Sequence, residues 1–170
     1  MLSFFLVILV AFPVFAQESV EPPSESPTLS AFTLKDQFDR PHTLTSDLRM
    51  ILFSKEKSAN KLVTEVLKEK ETGYLLKHSI FYIADVSGMP SFIYSWFALP
   101  KMKKYNYSVL LESEPDKTKV FPSQSEAVTI LHLNNLNVTK VLFARDVQTI
   151  QSALQSLESE INTTKDSSEK

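Results

Sequence analysis

The chain has no cysteine. Without a thiol it forms no disulfide, offers no thiolate nucleophile, and builds no thiolate metal site or iron–sulfur cluster. Glycine is nearly as scarce, with Gly73 and Gly88 the only two in 170 residues. A phosphate-cradling loop or a dinucleotide fingerprint needs several glycines closely spaced, so both motifs are excluded. An excess of one charge is lacking as well: 18 Lys+Arg stand against 20 Asp+Glu, a net charge of −2. No bulk field then draws the chain to nucleic acid or to an anionic membrane. The three histidines, His42, His78 and His132, include no pair at i, i+3 or i+4, and no metal is expected at them.

What is present is apolar material: 43% hydrophobic and 11% aromatic residues, enough for one core in one domain at this length. Residues 1–16 read MLSFFLVILVAFPVFA, an apolar run closed by small Val14 and Ala16 at the −3 and −1 positions of a signal-peptidase site. A signal peptide predicts export to the periplasm. An uncleaved anchor is the alternative, although the run is short of the roughly 20 residues that span a bilayer. Residues 17–28, rich in Pro, Ser and Glu, read as a flexible leader, residues 29–161 as the folded domain, and residues 162–170 as a disordered polar tail.

Within the domain, residues 32–34 and 42–44 alternate around a turn at Asp39 and predict a hairpin. RMILFS (49–54), SIFYIA (79–84) and YSVLLE (107–112) read as buried strands. Residues 60–77 carry Leu62, Val63, Val66 and Leu67 on one face, which predicts a helix capped by Ser58 or Asn60. Gly88 with Met89 and Pro90 marks a tight strand-to-helix break. A helix is predicted over 91–104, interrupted at Pro100, with Phe92, Trp96 and Leu99 on its inner face and Tyr94 and Phe97 elsewhere. Residues 127–133 and 138–144 flank an Asn-rich turn, a second hairpin, and Asp146 caps a last helix running to Ile161. Strands alternating with helices and closed by a hairpin predict an α/β domain with a mixed sheet and helices on both faces.

Phe32, Leu34 and Asp36, the turn to Leu44, then Asp47-Leu48 and the strand at Ile51–Phe53 resemble the entry of the thioredoxin-like superfamily. The branch is the one shared by peroxiredoxins and TlpA-type periplasmic thiol oxidoreductases. The strand at 107–112 resembles that branch's inserted strand, and residues 128–157 resemble its closing hairpin and helix. ADVSGMP (84–90) followed by FALPKM (97–102) is similar to uncharacterised cysteine-free bacterial periplasmic proteins of this fold. The resemblance implies a three-layer α/β/α sandwich with an N-terminal β-hairpin, and a C-terminal β-hairpin plus helix. It also implies a Cys-x-x-Cys after the first central strand and a cis-proline facing it. Here the first place reads Ser54-Lys55-Glu56-Lys57-Ser58-Ala59-Asn60, and the second reads Val128. A cis bond before a non-proline residue costs roughly 2.5–4 kcal/mol, so a trans bond is expected at Val128.

Other constellations have plain readings. The pairs Glu112/Glu114 and Asp36/Asp39 lie at predicted strand ends and turns, where carboxylates are solvated. Lys101, Lys103 and Lys104, followed by Tyr105 and Tyr107, form a small basic–aromatic cluster that is weak as a nucleic-acid or lipid-headgroup site, because charges elsewhere balance it, and that reads first as lysines complementing a helix C-terminus. The sequons at Asn106, Asn137 and Asn162 are within chance for a chain this rich in Ser and Thr. The reading is a redox-inactive module that binds a periplasmic or membrane-associated protein, with no cofactor, metal or nucleic acid. Its candidate interaction surface is Lys55, Glu56, Lys57, Ser58, Asn60, Val128, Tyr94 and Phe97. A non-thiol enzyme or ligand-binding protein using the former active-site groove is the alternative.

Overall fold

A computed structural model describes residues 27–114 and 116–168. The expected signal peptide and nearly all of the expected leader lie outside them. Seven strands form one sheet: β1 (Thr33–Asp36), β2 (Pro41–Thr43), β3 (Met50–Ser54), β4 (Ile80–Asp85), β5 (Leu110–Glu112), β6 (Val128–Asn134) and β7 (Asn137–Ala144). Their order is β2-β1-β5-β4-β3-β6-β7. The central β3, β4 and β5 are parallel, and β1–β2, β1–β5, β3–β6 and β6–β7 are antiparallel.

The middle strands are continuous apolar runs because both of their faces are covered. Met50 and Leu52 of β3 enter one core cluster, Ile51 and Phe53 the other. The first cluster lies under the helices α1 (Lys57–Leu67), α2 (Tyr74–Lys77) and α5 (Val147–Ser168). The opposite face, expected to carry helices too, is covered by loops and turns: Leu29, Leu44, Leu48 and Phe121 pack on it. The reason is topological. Both crossovers, β3 to β4 and β4 to β5, step in the same direction, and right-handed connections then fall on one side.

The predicted helix over 60–77 is two pieces. Its apolar stripe stops at Leu67, and the run KEKET that follows has nothing to bury. The chain turns there, and Gly73 takes φ +85° ahead of α2. Gly88, by contrast, does not take a left-handed φ. Neither predicted cap is used: the residue before α1 is Glu56, which makes no side-chain cap.

The second hairpin closes on Asn135 (φ 50°) and Leu136 (φ 64°), the backbone of a type I′ turn. Leu136 is held in that conformation on both sides. Its side chain packs on the second cluster, and its carbonyl accepts the Leu29 amide at 2.8 Å. Thr28, assigned to the leader, bridges to Asn137, so order begins just before the expected boundary. Asp146 caps α5 as expected, its Oδ1 accepting the Thr149 amide at 2.7 Å. The helix continues to Ser168, past the tail boundary expected at Asn162.

Residues 91–102 form a broken helix: α3 (Ser91–Ile93), a π-helical turn (Tyr94–Ala98) and α4 (Leu99–Met102). Pro100 has no N–H to give the Trp96 carbonyl, and the Leu99 amide bonds to Tyr94 five residues back. The extra residue rotates the following turn, and the faces differ from expectation at Phe92, Trp96 and Tyr94 while Leu99 and Phe97 lie as expected. Tyr94, Leu99 and Met102 pack inward, while Phe92, Trp96 and Phe97 point outward.

Candidate functional site

The parallel strands β3, β4 and β5 end together at Ser54, Asp85 and Glu112, the edge of an α/β sheet where sites form. Ser54 is fully buried. Its hydroxyl donates to Asn60 Oδ1 at 3.0 Å and lies 3.1 Å from the Tyr82 hydroxyl, which donates to the same Oδ1 at 2.5 Å. Asn60 Nδ2 donates to the Glu56 carbonyl at 3.1 Å, so this amide is satisfied on both sides. Burial lifts the Tyr82 hydroxyl far above the ordinary tyrosine range. Three polar groups from β3, α1 and β4 thus satisfy one another directly beneath residues 55–60, and Ala59 fills the space beside them.

The facing segment is tied down as well. The Glu126 amide donates to Glu56 Oε2 at 3.2 Å, linking the two halves of the place. Glu126 takes φ 59°, and the bond that follows, Ala127–Val128, is trans, like every other bond among the described residues. Val128 pairs with Ala144 and is fully buried, so it belongs to the core and not to a surface. Lys55, Glu56, Lys57 and Ser58 are exposed, Asn60 is half-buried, Tyr94 is half-buried against the helical cluster, and Phe97 is exposed. Residues 55–58 form one rim. Tyr94 and Phe97 belong to the separate segment 91–102.

Among the described residues each of the three histidines is placed elsewhere. His42 lies against Asp36, His78 against the Tyr74 carbonyl, and His132 opposite Met50 at the other end of β3. Among the described residues no three His, Asp or Glu side chains converge to hold a metal ion. Two hollows, of about 830 and 330 Å3, are lined by residues other than 54–60. The larger runs between β7 and α5 past Arg49, His132 and Lys140. There burial, helped by Lys140, holds His132 below its usual range against the opposing Glu160.

Glu112 departs from its expected solvation. It is 2% exposed, its Oε1 accepts the Glu114 amide at 3.3 Å, and its Oε2 has no partner among the described residues. The alternation in YSVLLE contained the signal, because Glu112 is in phase with Leu110, a residue of the second core. Burial pushes its carboxyl up, and Asp85 beside it adds to the rise, against the Glu114 amide and Lys117. A raised carboxyl means that folding takes up a proton, so this group costs stability as pH rises through its folded value. Glu112→Gln, which cannot ionise, is therefore expected to stabilise the fold at pH 7. Urea unfolding at pH 5 and pH 8 should show the gain shrinking at the lower pH, and a pH-independent difference contradicts this.

No protein-family model matches the chain, and neither does any curated protein. Solved structures do match. The peroxidoxin BcpB of Mycobacterium tuberculosis superposes with a TM-score of 0.53 at 13% identity, over 79% of this chain and 96% of its own. The fold is thioredoxin-like. A candidate thiol:disulfide interchange protein DsbE from Chlorobium tepidum gives 0.53 at 10% identity, over 82% and 96% of the two chains. The exposed lipoprotein thioredoxin Etrx1 of Streptococcus pneumoniae gives 0.50 at 10%, over 75% and 99%. This chain keeps the thioredoxin-like sheet without any cysteine.

Proposed function

We propose that the chain is a redox-inactive, exported thioredoxin-like module that works by binding a protein of the periplasm or membrane. The observation that carries this reading is the closed Ser54–Tyr82–Asn60 network. It leaves an ordered, exposed rim at Lys55, Glu56, Lys57 and Ser58 above polar groups that satisfy one another, in a chain with no thiol. A rim of this kind contacts a partner and transforms nothing, which disfavours an enzyme acting in the old groove. The apolar residues 1–16 and the exposed-lipoprotein neighbour support an exported setting.

The test is site-specific photo-crosslinking in living cells. A probe at Lys57 should yield a discrete adduct. Probes at Gln151 and Gln155, on the exposed face of α5, should not. Equal adducts at all three positions, or none at Lys57, would sink the reading.

A further inference from the structure

The segment 91–104 carries the most exposed apolar cluster of the described chain. Trp96 is 78% exposed, Phe97 68% and Phe92 63%, with Ile93 beside them. These side chains are held outward. The π turn set by Pro100 aims them away from the sheet, while Tyr94, Leu99 and Met102 fasten the inner side to the core. Gln37 adds a tether, its Nε2 donating to the Met102 carbonyl at 3.4 Å and the Tyr107 carbonyl at 2.8 Å. An apolar surface anchored in this way is one that something covers.

Charge identifies the cover. Lys101, Lys103 and Lys104 follow the aromatics directly, are exposed, and make no ion pair among the described residues. No Asp or Glu occurs anywhere from residue 86 to 111, although the chain as a whole has 20. The segment is therefore locally cationic within an acidic protein. Aromatic and aliphatic side chains beside lysines suit a bilayer interface, where rings enter the headgroup boundary and ammonium groups meet lipid phosphates. A second copy would set lysine against lysine. No described helix is long and apolar enough to cross a membrane, so the segment lies on the bilayer and does not span it.

We infer that residues 91–104 dock this domain onto the surface of a bilayer rich in anionic lipid. The inference goes beyond the protein-binding reading, because it concerns where the module sits. It can fail while the Lys57 adduct survives, and the converse holds as well.

Trp96 is the only tryptophan, so its emission reports this segment and not the N-terminal apolar run. The full chain is titrated with vesicles of phosphatidylglycerol and phosphatidylethanolamine, and with phosphatidylcholine vesicles as control. The expected result is a blue shift of Trp96 with the anionic vesicles, quenching by brominated acyl chains, and weakening at high salt. Replacing Lys101, Lys103 and Lys104 together by glutamine should weaken binding on the order of 100-fold, from about 1 kcal/mol per lysine. These exposed positions leave the fold intact, which far-UV circular dichroism checks. Vesicle binding without a Trp96 shift would assign the attachment to the N-terminal run and overturn the inference. So would a blue shift that grows with protein concentration in the absence of lipid, which marks a second copy, or an unshifted Trp96 throughout.

Discussion

Asp36→Ala is expected to destabilise the domain by about 2–3 kcal/mol, because it leaves the Phe38 and Arg40 amides without their acceptor. The Asp36 side chain is fully buried at the tip of the first hairpin. Its Oδ1 accepts the amides of Phe38 at 2.8 Å and Arg40 at 3.0 Å. Its Oδ2 accepts Arg40 Nε at 2.9 Å and lies 3.1 Å from His42 Nε2. One carboxylate thus organises the whole β1–β2 turn, in which Asp39 takes φ 66°. Burial alone would raise this carboxyl, but the Phe38 and Arg40 amides, His42 and the Arg40 side chain together hold it below the usual range. A depressed carboxyl contributes its stability fully above the unfolded value of roughly 3.9, and loses it as pH falls through the folded value. Denaturant unfolding should therefore show the wild-type advantage over Asp36→Ala at pH 7 and its decline only below about pH 4. An unchanged advantage at pH 3 contradicts this account of the hairpin.

Gln37→Ala is expected to cost about 2–3 kcal/mol, because it strands two buried backbone groups. Gln37 is itself buried. Its Oε1 accepts the Val109 amide at 2.9 Å while its Nε2 donates to the Tyr107 carbonyl at 2.8 Å. The amide therefore acts as a missing rung between the hairpin and the chain entering β5. Its loss should loosen residues 91–109 before the rest of the sheet. Hydrogen exchange by mass spectrometry checks both parts: a general fall in protection, and the earliest exchange in that segment. Uniform loss across the domain would mean that Gln37 supports the core and not this connection.

Most of the sheet was readable in the chain because its strands are short apolar runs between strong turn signals. RMILFS became the five buried residues of β3, and the Asn-rich turn between residues 133 and 138 became a type I′ hairpin. Asp146 stood where a cap belongs. What misled was local pattern without its backbone context. Leu99 fell inside and Phe97 outside as expected, but Phe92 and Trp96 turned outward and Tyr94 inward, in a segment that Pro100 breaks with a π turn a fixed 100° period does not anticipate. Glu112 looked like a strand-end carboxylate, but its phase with Leu110 outweighed its polarity. The mixed sheet and the thioredoxin-like α/β fold stand as expected, while strand order puts the named helices on one face.

The site was legible as a location and illegible as a structure. Ser54, Asn60 and Tyr82 sit on three elements, and nothing in their spacing announces that they meet. Lys55–Ser58 are exposed, whereas Val128 is core. Tyr82, which seals the place from below, was missed because a tyrosine inside a buried strand reads as packing.

The central claim is that this scaffold holds the place of a thiol site while lacking its chemistry. Insulin reduction by dithiothreitol tests it most directly, with wild type compared against Ser58→Cys/Lys61→Cys. That double variant sets a Cys-x-x-Cys into the first turns of α1. The account predicts that wild type leaves the uncatalysed rate unchanged, while the variant forms an intramolecular disulfide and accelerates the reaction. Catalysis by wild type, or a variant unable to close its disulfide, would contradict it.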